Sequence, residues 1–77
     1  MVIAYVLVEA STGEADRIAA AIRAVDGVES VHVVAGDVDF FVRVAVDSPA
    51  AVRAAVVSAI TGVDDVENTR TYLAMDA

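Results

Sequence analysis

Twice along this chain the spacing of apolar residues switches from a strand-like period to a helix-like one and back, which limits the fold more than any other feature. Residues 2–9, VIAYVLVE, are β-branched and aromatic and read as a strand. Ile18, Ala21, Ile22 and Val25 then fall at three- and four-residue intervals, the stripe of an amphipathic helix. Ser11 and Glu14 have the spacing of a capping box ahead of it. Gly27 closes it, because a left-handed residue after the last turn costs least without a Cβ. VESVHVVA and VDFFVRVAV follow as two strands meeting at Gly36-Asp37. Ser48 reads as an N-cap with Pro49 at the first helical position, where a missing N–H is no loss. Val52, Ala55, Val56, Ala59 and Ile60 make the second stripe, Gly62 stops it, and residues 66–75 form the last strand.

The order is β-α-β-β-α-β. AVDGVESV (24–31) echoes AITGVDDV (59–66) at an offset of 35 residues, each running from a helix end through a glycine into a strand. A βαβ unit used twice gives an α+β, ferredoxin-like fold, a four-stranded antiparallel sheet with two helices on one face. Seventy-seven residues are enough for one such domain, residues 1–77, and too few for two cores.

Two helices leave the other face of the sheet bare, and that face should be polar if water covers it. Val2, Ala4, Val6 and Val8 point one way, while Ile3, Tyr5 and Leu7 point the other. With Gly36-Asp37 as a two-residue hairpin loop, Val31, Val33, Val38, Phe40, Val42 and Val44 share one face. Val34, Phe41 and Ala45 lie opposite, among His32, Asp39 and Arg43. Both faces are therefore apolar. A patch of that size calls for cover, and a second copy packed sheet against sheet supplies it.

Twelve acids stand against five arginines, with no lysine, for a net charge of −7. That balance argues against nucleic acid as a direct partner, since phosphate binding needs a basic face. It also suits a protein of a high-salt cytoplasm, although a GC-rich genome would equally replace lysine by arginine. There is no cysteine, hence no disulfide and no thiolate chemistry. The apolar run Val2–Val8 is too short for a membrane span or a signal peptide, so a cytoplasmic location without membrane contact is expected.

His32 is the only histidine and reads as a packing or interface residue, since a haem or metal site would need further ligands. Asp64, Asp65 and Glu67 fit no calcium loop and read as a solvated segment. No catalytic triad or phosphate loop is present, so no enzyme activity, metal or cofactor is expected. Arg43, in mid-strand, needs a carboxylate, and Asp39 and Glu9 are the candidates. The GDVD turn, residues 36–39, is either a plain hairpin or a site. Its backbone N–H groups would suit a carboxylate and its acids an ammonium group, as in a free amino acid.

VHVVAGDVDFFVRV and GVDDVENTRTYLAM together resemble two motifs of the ligand-binding domain of the Lrp/AsnC transcription regulators, known as the RAM domain (regulation of amino acid metabolism). The resemblance covers nearly all of residues 2–75. It implies a βαββαβ fold, dimers formed through the sheets, and larger rings, commonly octamers. It further implies a small effector, usually an amino acid, bound between dimers near the β2–β3 turn. Carried over residue by residue, Gly36, Asp37, Val38 and Asp39 occupy that turn, and Thr69 and Thr71 occupy the matching positions of the last strand. The turn backbone and Asp39 would hold the ligand's polar ends, and the threonine hydroxyls would orient it. Val38 stands where the family commonly has an aromatic residue, which changes the pocket shape.

The family's N-terminal helix-turn-helix has no counterpart here, so the resemblance implies a stand-alone module without DNA binding of its own. Such a module senses amino acids alone or co-assembles with full-length Lrp/AsnC regulators. Four other readings share the fold. An ACT-type amino-acid-binding domain usually has Asp-x-Pro-Gly after its first strand, and EASTGEAD lacks the proline. A dimeric α/β-barrel oxygenase would need His32 or a carboxylate set in a deep cavity. An assembly module without a ligand is the third. An RNA-binding domain would need the stacking aromatics and basic surface that this chain lacks.

Overall fold

β1 (Val2–Ala10) and β3 (Phe40–Val46) form the centre of one antiparallel sheet of order β2-β3-β1-β4. β2 (Val28–Val33) and β4 (Val66–Leu73) are its edges. The computed structural model describes residues 1–11 and 13–76, and among these every side chain but those of Ala55 and Val57. Ala55 of the expected second stripe therefore lies outside the described side chains.

Alternation along the strands sends Ala4, Val6, Val8, Val31, Phe40, Val42 and Val44 to one face, where all are buried. Against them pack Ile18, Ala19 and Ile22 of α1 (Ala15–Arg23), Val52 of α2 (Pro49–Arg53), and Val56 and Ile60 beyond it. Each fully buried valine, isoleucine or phenylalanine contributes about 1.5–3 kcal/mol, so this layer dominates stability. The element order, the antiparallel sheet and the helices on one face are those of the ferredoxin-like reading.

Ser48 caps α2 as its sequence indicates, its hydroxyl accepting from the Ala51 N–H at 3.2 Å with Pro49 next in line. The capping box does not form. α1 begins at Ala15, too late for Ser11 to reach its first turn, and Glu14, in the cap position, makes no side-chain cap bond. Ser11 instead donates its N–H and hydroxyl to the Asp65 carbonyl at 3.0 and 3.4 Å, tying the start of the β1–α1 loop to the approach to β4.

The second helix is one piece in sequence but not in hydrogen bonding. After Arg53 it widens into a π-helical segment, Ala54–Ile60, whose bonds reach five residues back; Thr61 N–H donates to the Val56 carbonyl at 3.0 Å. Residues four apart still fall on one side of it, so Val52, Val56 and Ile60 are all buried.

Two bulges shape the edge strands. Val28 faces Val44 and Ser30 faces Arg43, which leaves Glu29 as an extra residue in β2. Glu67 is likewise the extra residue between Val66 and Asn68 opposite Ala10 and Glu9. In a regular strand Glu29 would share the buried face of Val31. The bulge releases it to the open face, where it pairs with Arg43 at 2.7 Å. Arg43 thus takes neither Asp39 nor Glu9, the partners its position in the sequence suggests.

These bulges reveal the internal repeat at its true offset. VDGVE (25–29) and VDDVE (63–67) occupy equivalent places 38 residues apart. Val25 N–H donates to the Ile22 carbonyl at 3.0 Å and Val63 N–H to the Ile60 carbonyl at 3.1 Å. Val28 N–H reaches the Val25 carbonyl and Val66 N–H the Val63 carbonyl, both at 3.2 Å. The echo at 35 residues paired Gly27 with Gly62. The π segment carries the second helix through Ile60, so the residue matching Gly27 is Asp65, at φ +74° against +95°. The last strand ends at Leu73 rather than Met75.

Candidate functional site

The β2–β3 connection follows the register of a two-residue loop at Gly36-Asp37, since Val33 faces Phe40 and Val34 N–H donates to the Asp39 carbonyl at 2.9 Å. The ladder itself stops at Val33 and resumes at Phe40, leaving residues 34–39 as a projecting turn. Gly36 has φ +148°, a value that favours glycine, and a Cβ there would meet nothing within 4 Å. Gly36 and Asp37 are exposed and Val38 is half-buried. Among the described residues, the N–H groups of Gly36, Asp37 and Val38 have no backbone acceptor. Three consecutive unpaired N–H groups on an open turn are a place where an anion can be held.

Asp39 anchors this turn. Its N–H donates to the Val8 carbonyl at 2.9 Å, and its Oδ2 accepts from the Ala10 N–H at 2.8 Å. One carboxylate oxygen thus stitches β3 to the end of β1, and the side chain remains exposed.

Thr69 and Thr71 lie elsewhere. They sit on β4 opposite Val8 and Val6, on the helix side of the sheet, with Thr69 half-buried and Thr71 exposed. β1 separates β4 from β3, so the turn and the threonines are about 10 Å apart across the sheet. Thr71 is level with Val42, three residues in from Asp39, about another 10 Å along the strands. One chain therefore does not close these six residues into a single pocket. Turn and threonines are two separate places on the chain.

The open face of the sheet carries an apolar strip, flanked by the Arg43–Glu29 pair and by Arg70 opposite Leu7. Ile3 is buried there beside Ala45, and Tyr5 and Leu7 are half-buried. Phe41 and Tyr72 are exposed, and the Tyr5 and Phe41 rings stack at 5.5 Å between centroids. His32 faces Phe41 on the same surface and is exposed.

The strand–helix pattern did not disclose a cleft of about 300 Å³ between α2, the π segment and β4, lined by Pro49, Val52, Arg53, Val56, Thr71 and Leu73. One signal was available. Residues 49, 50, 56 and 57, three and four places from Arg53, are Pro, Ala, Val and Val, so this arginine has no acid within helical reach in a strongly acidic chain. A larger open groove of about 740 Å³ lies between the end of α1, the end of β3 and the second helix, lined by Ala24, Gly27, Val46, Ala51 and Ala59 among others.

The element order, the antiparallel sheet and the helices packed on one face of it define a ferredoxin-like α+β domain. The chain belongs to the family described as the Lrp/AsnC ligand binding domain, which matches residues 3–77. Among solved structures it is similar to TTHA0845 from Thermus thermophilus, at 27% identity and a TM-score of 0.93, covering 100% of this chain and 96% of that one. It is also similar to AsnC of E. coli (17% identity, TM-score 0.90), covering 99% of this chain and 52% of AsnC. A third is the transcriptional regulator NMB0573 of Neisseria meningitidis in complex with L-Met (17% identity, TM-score 0.85), covering 97% of this chain and 50% of that one. The chain thus spans about half the length of the two regulators. No curated protein matches the sequence. No helix among the described residues is long and apolar enough to cross a membrane.

Proposed function

We propose that this chain is an amino-acid-responsive effector-binding and assembly module that does not itself contact DNA. The observation that carries the reading is the row of unpaired N–H groups at Gly36, Asp37 and Val38 beside the Asp39 carboxylate. Donors for a carboxylate stand next to an acceptor for an ammonium group, the two polar ends of a free amino acid. That a relative of the same fold is complexed with L-Met supports this ligand class.

Turn and threonines are half-sites on one chain, so Thr69 and Thr71 act where a second copy brings them against a turn. The apolar open face carrying Tyr5, Phe41 and Tyr72 joins two copies sheet to sheet, and higher rings, octamers included, build from such dimers. Full-length Lrp/AsnC regulators are the further partners, meeting this chain through the same surface. A net charge of −7 supports the absence of nucleic-acid contact.

A thermal-shift screen of the twenty amino acids in high KCl tests the reading. Ligand at about a hundred times its dissociation constant adds roughly 2.7 kcal/mol, several degrees for a domain this small. A shift with one or a few amino acids that is lost in Asp39→Asn supports it. No shift with any of them leaves the turn a hairpin and the chain an assembly module.

A further inference from the structure

We infer that the cleft between α2, the π segment and β4 binds the aliphatic end and the carboxylate of a short aliphatic acid, with Arg53 as the anion anchor. The inference goes beyond the effector reading: the cleft is a second carboxylate site, apart from the turn, with its own lining.

Three observations converge on the cleft. First, its walls are apolar on both sides. Val52 and Val56 present buried side chains from the helix, while Leu73 on β4 is 44% exposed although it points to the helix side of the sheet. A leucine on the core side of a strand is normally covered, and here the second helix and β4 make few direct contacts. Leu73 is left open by this gap in the helix layer.

Second, Arg53 lines the same cleft and, among the described residues, its side chain takes no ion pair and no hydrogen bond. Arg17 pairs with Glu14 and Asp65, and Arg43 pairs with Glu29. Arg23 donates to the Val31 carbonyl, and Arg70, unpaired like Arg53 among the described residues, stands opposite Leu7 on the open face and lines neither cleft. Arg53 is an unused cation beside an apolar gap, and its planar fork suits a carboxylate.

Third, the Thr71 hydroxyl is the other polar group of the lining and is likewise unpartnered among the described residues. One guanidinium, one hydroxyl and an apolar wall fit a monocarboxylate with a short branched tail. No acid lines the cleft, so the ligand needs no ammonium group for it. About 300 Å³ lies at the small end of ligand sites, in keeping with a molecule of leucine size.

The test titrates the full chain in high KCl with L-leucine, 4-methylpentanoate (leucine without its amine) and 3-methylbutylamine (without its carboxylate). Binding is read by calorimetry and by methyl resonances of Val52, Val56 and Leu73. Leucine and 4-methylpentanoate should both bind and shift those methyls, and the amine should not. Arg53→Gln, at an exposed position, should weaken both acids about tenfold or more. Thr71→Val should weaken them by less.

Amino-acid binding that survives Arg53→Gln but is lost in Asp39→Asn overturns the cleft and leaves the turn standing. Binding of 4-methylpentanoate through Arg53 without any amino-acid binding keeps the cleft and removes the amino-acid reading. Silence from all three probes up to about 10 mM removes the cleft, and the turn then stands or falls on the screen of twenty amino acids.

Discussion

Asp65 stands in the second half of the chain where Gly27 stands in the first, both left-handed, at φ +74° and +95°. Each precedes a bulged edge strand, and each carbonyl is used: Ala45 N–H donates to Gly27 at 2.8 Å and Ser11 N–H to Asp65 at 3.0 Å. The Cβ positions explain the difference in residue type. At Gly27 a Cβ would stand 2.7 Å from Val46 Cγ1. Asp65 has room for its side chain and uses it, its carboxylate meeting Arg17 at 2.6 Å.

Substitutions at the two sites should therefore diverge. Gly27→Ala combines an unfavourable φ with a clash and should cost about 2–3 kcal/mol. Asp65→Gly relieves about 1 kcal/mol of backbone strain while losing an exposed ion pair worth under about 1 kcal/mol, and should be near neutral. Asp65→Ala keeps the strain and loses the pair, for a loss of up to about 1 kcal/mol. Urea unfolding at fixed KCl gives the ranking, and Gly27→Ala as stable as Asp65→Gly would refute the clash.

That pair also shows where the sequence stops being readable. Gly27, the Ser48-Pro49 cap and the Val6/Tyr5 alternation are local, and each takes the place its own neighbours dictate. The left-handed residue at 65 is disguised as an aspartate, and Gly62, the apparent stop, does not adopt a positive φ. Glu29 and Glu67 become bulge residues only through the register of a partner strand, which no local pattern contains. The π segment keeps the four-residue spacing of an α-helix, so periodicity alone cannot tell them apart. At the candidate site the turn was legible from Gly36 and Asp39. Asp39's bond to Ala10, 29 residues away, was not, nor was the place of Thr71 in the helix–strand cleft.

The Asp39–Ala10 bond separates a structural role from a binding role. Asp39→Ala removes the acceptor and should cost about 1 kcal/mol in stability. Asp39→Asn keeps an oxygen for the Ala10 N–H and should unfold within a few tenths of a kcal/mol of the parent. If the carboxylate also binds an ammonium group, both variants should lose ligand affinity by at least about tenfold, although only one is destabilised. Equal ligand affinity in Asp39→Asn and the parent would confine Asp39 to holding the turn on β1.

Salt dependence follows from the charge distribution. Every acid except the half-buried Glu9 is exposed, and among the described residues only Glu14, Glu29 and Asp65 are in ion pairs. The surplus repels itself across the surface and opposes the compact state. Raising KCl from about 0.1 M to about 1 M shortens the screening length from roughly 10 to 3 Å, so the melting temperature should rise by several degrees. A flat melting temperature over that range would mean that the missing lysines reflect genome composition, not adaptation to salt.

Sheet-to-sheet assembly is tested most directly at Phe41. Its ring stacks on Tyr5, faces Leu7 and His32 across the strands, and is 37% exposed in the single chain. Phe41→Glu leaves the core beneath untouched, because Phe41 points away from the helices. In a dimer packed through this face the new carboxylate would be buried without a partner, a penalty of several kcal/mol. The dimer dissociation constant should then rise by two orders of magnitude or more, and sedimentation should find a folded monomer where the parent is dimeric or larger. Tyr72→Glu, two strands away on the same face, should act in the same direction. An assembly that tolerates both charges must be held by some other surface, and the apolar face would then need a different occupant.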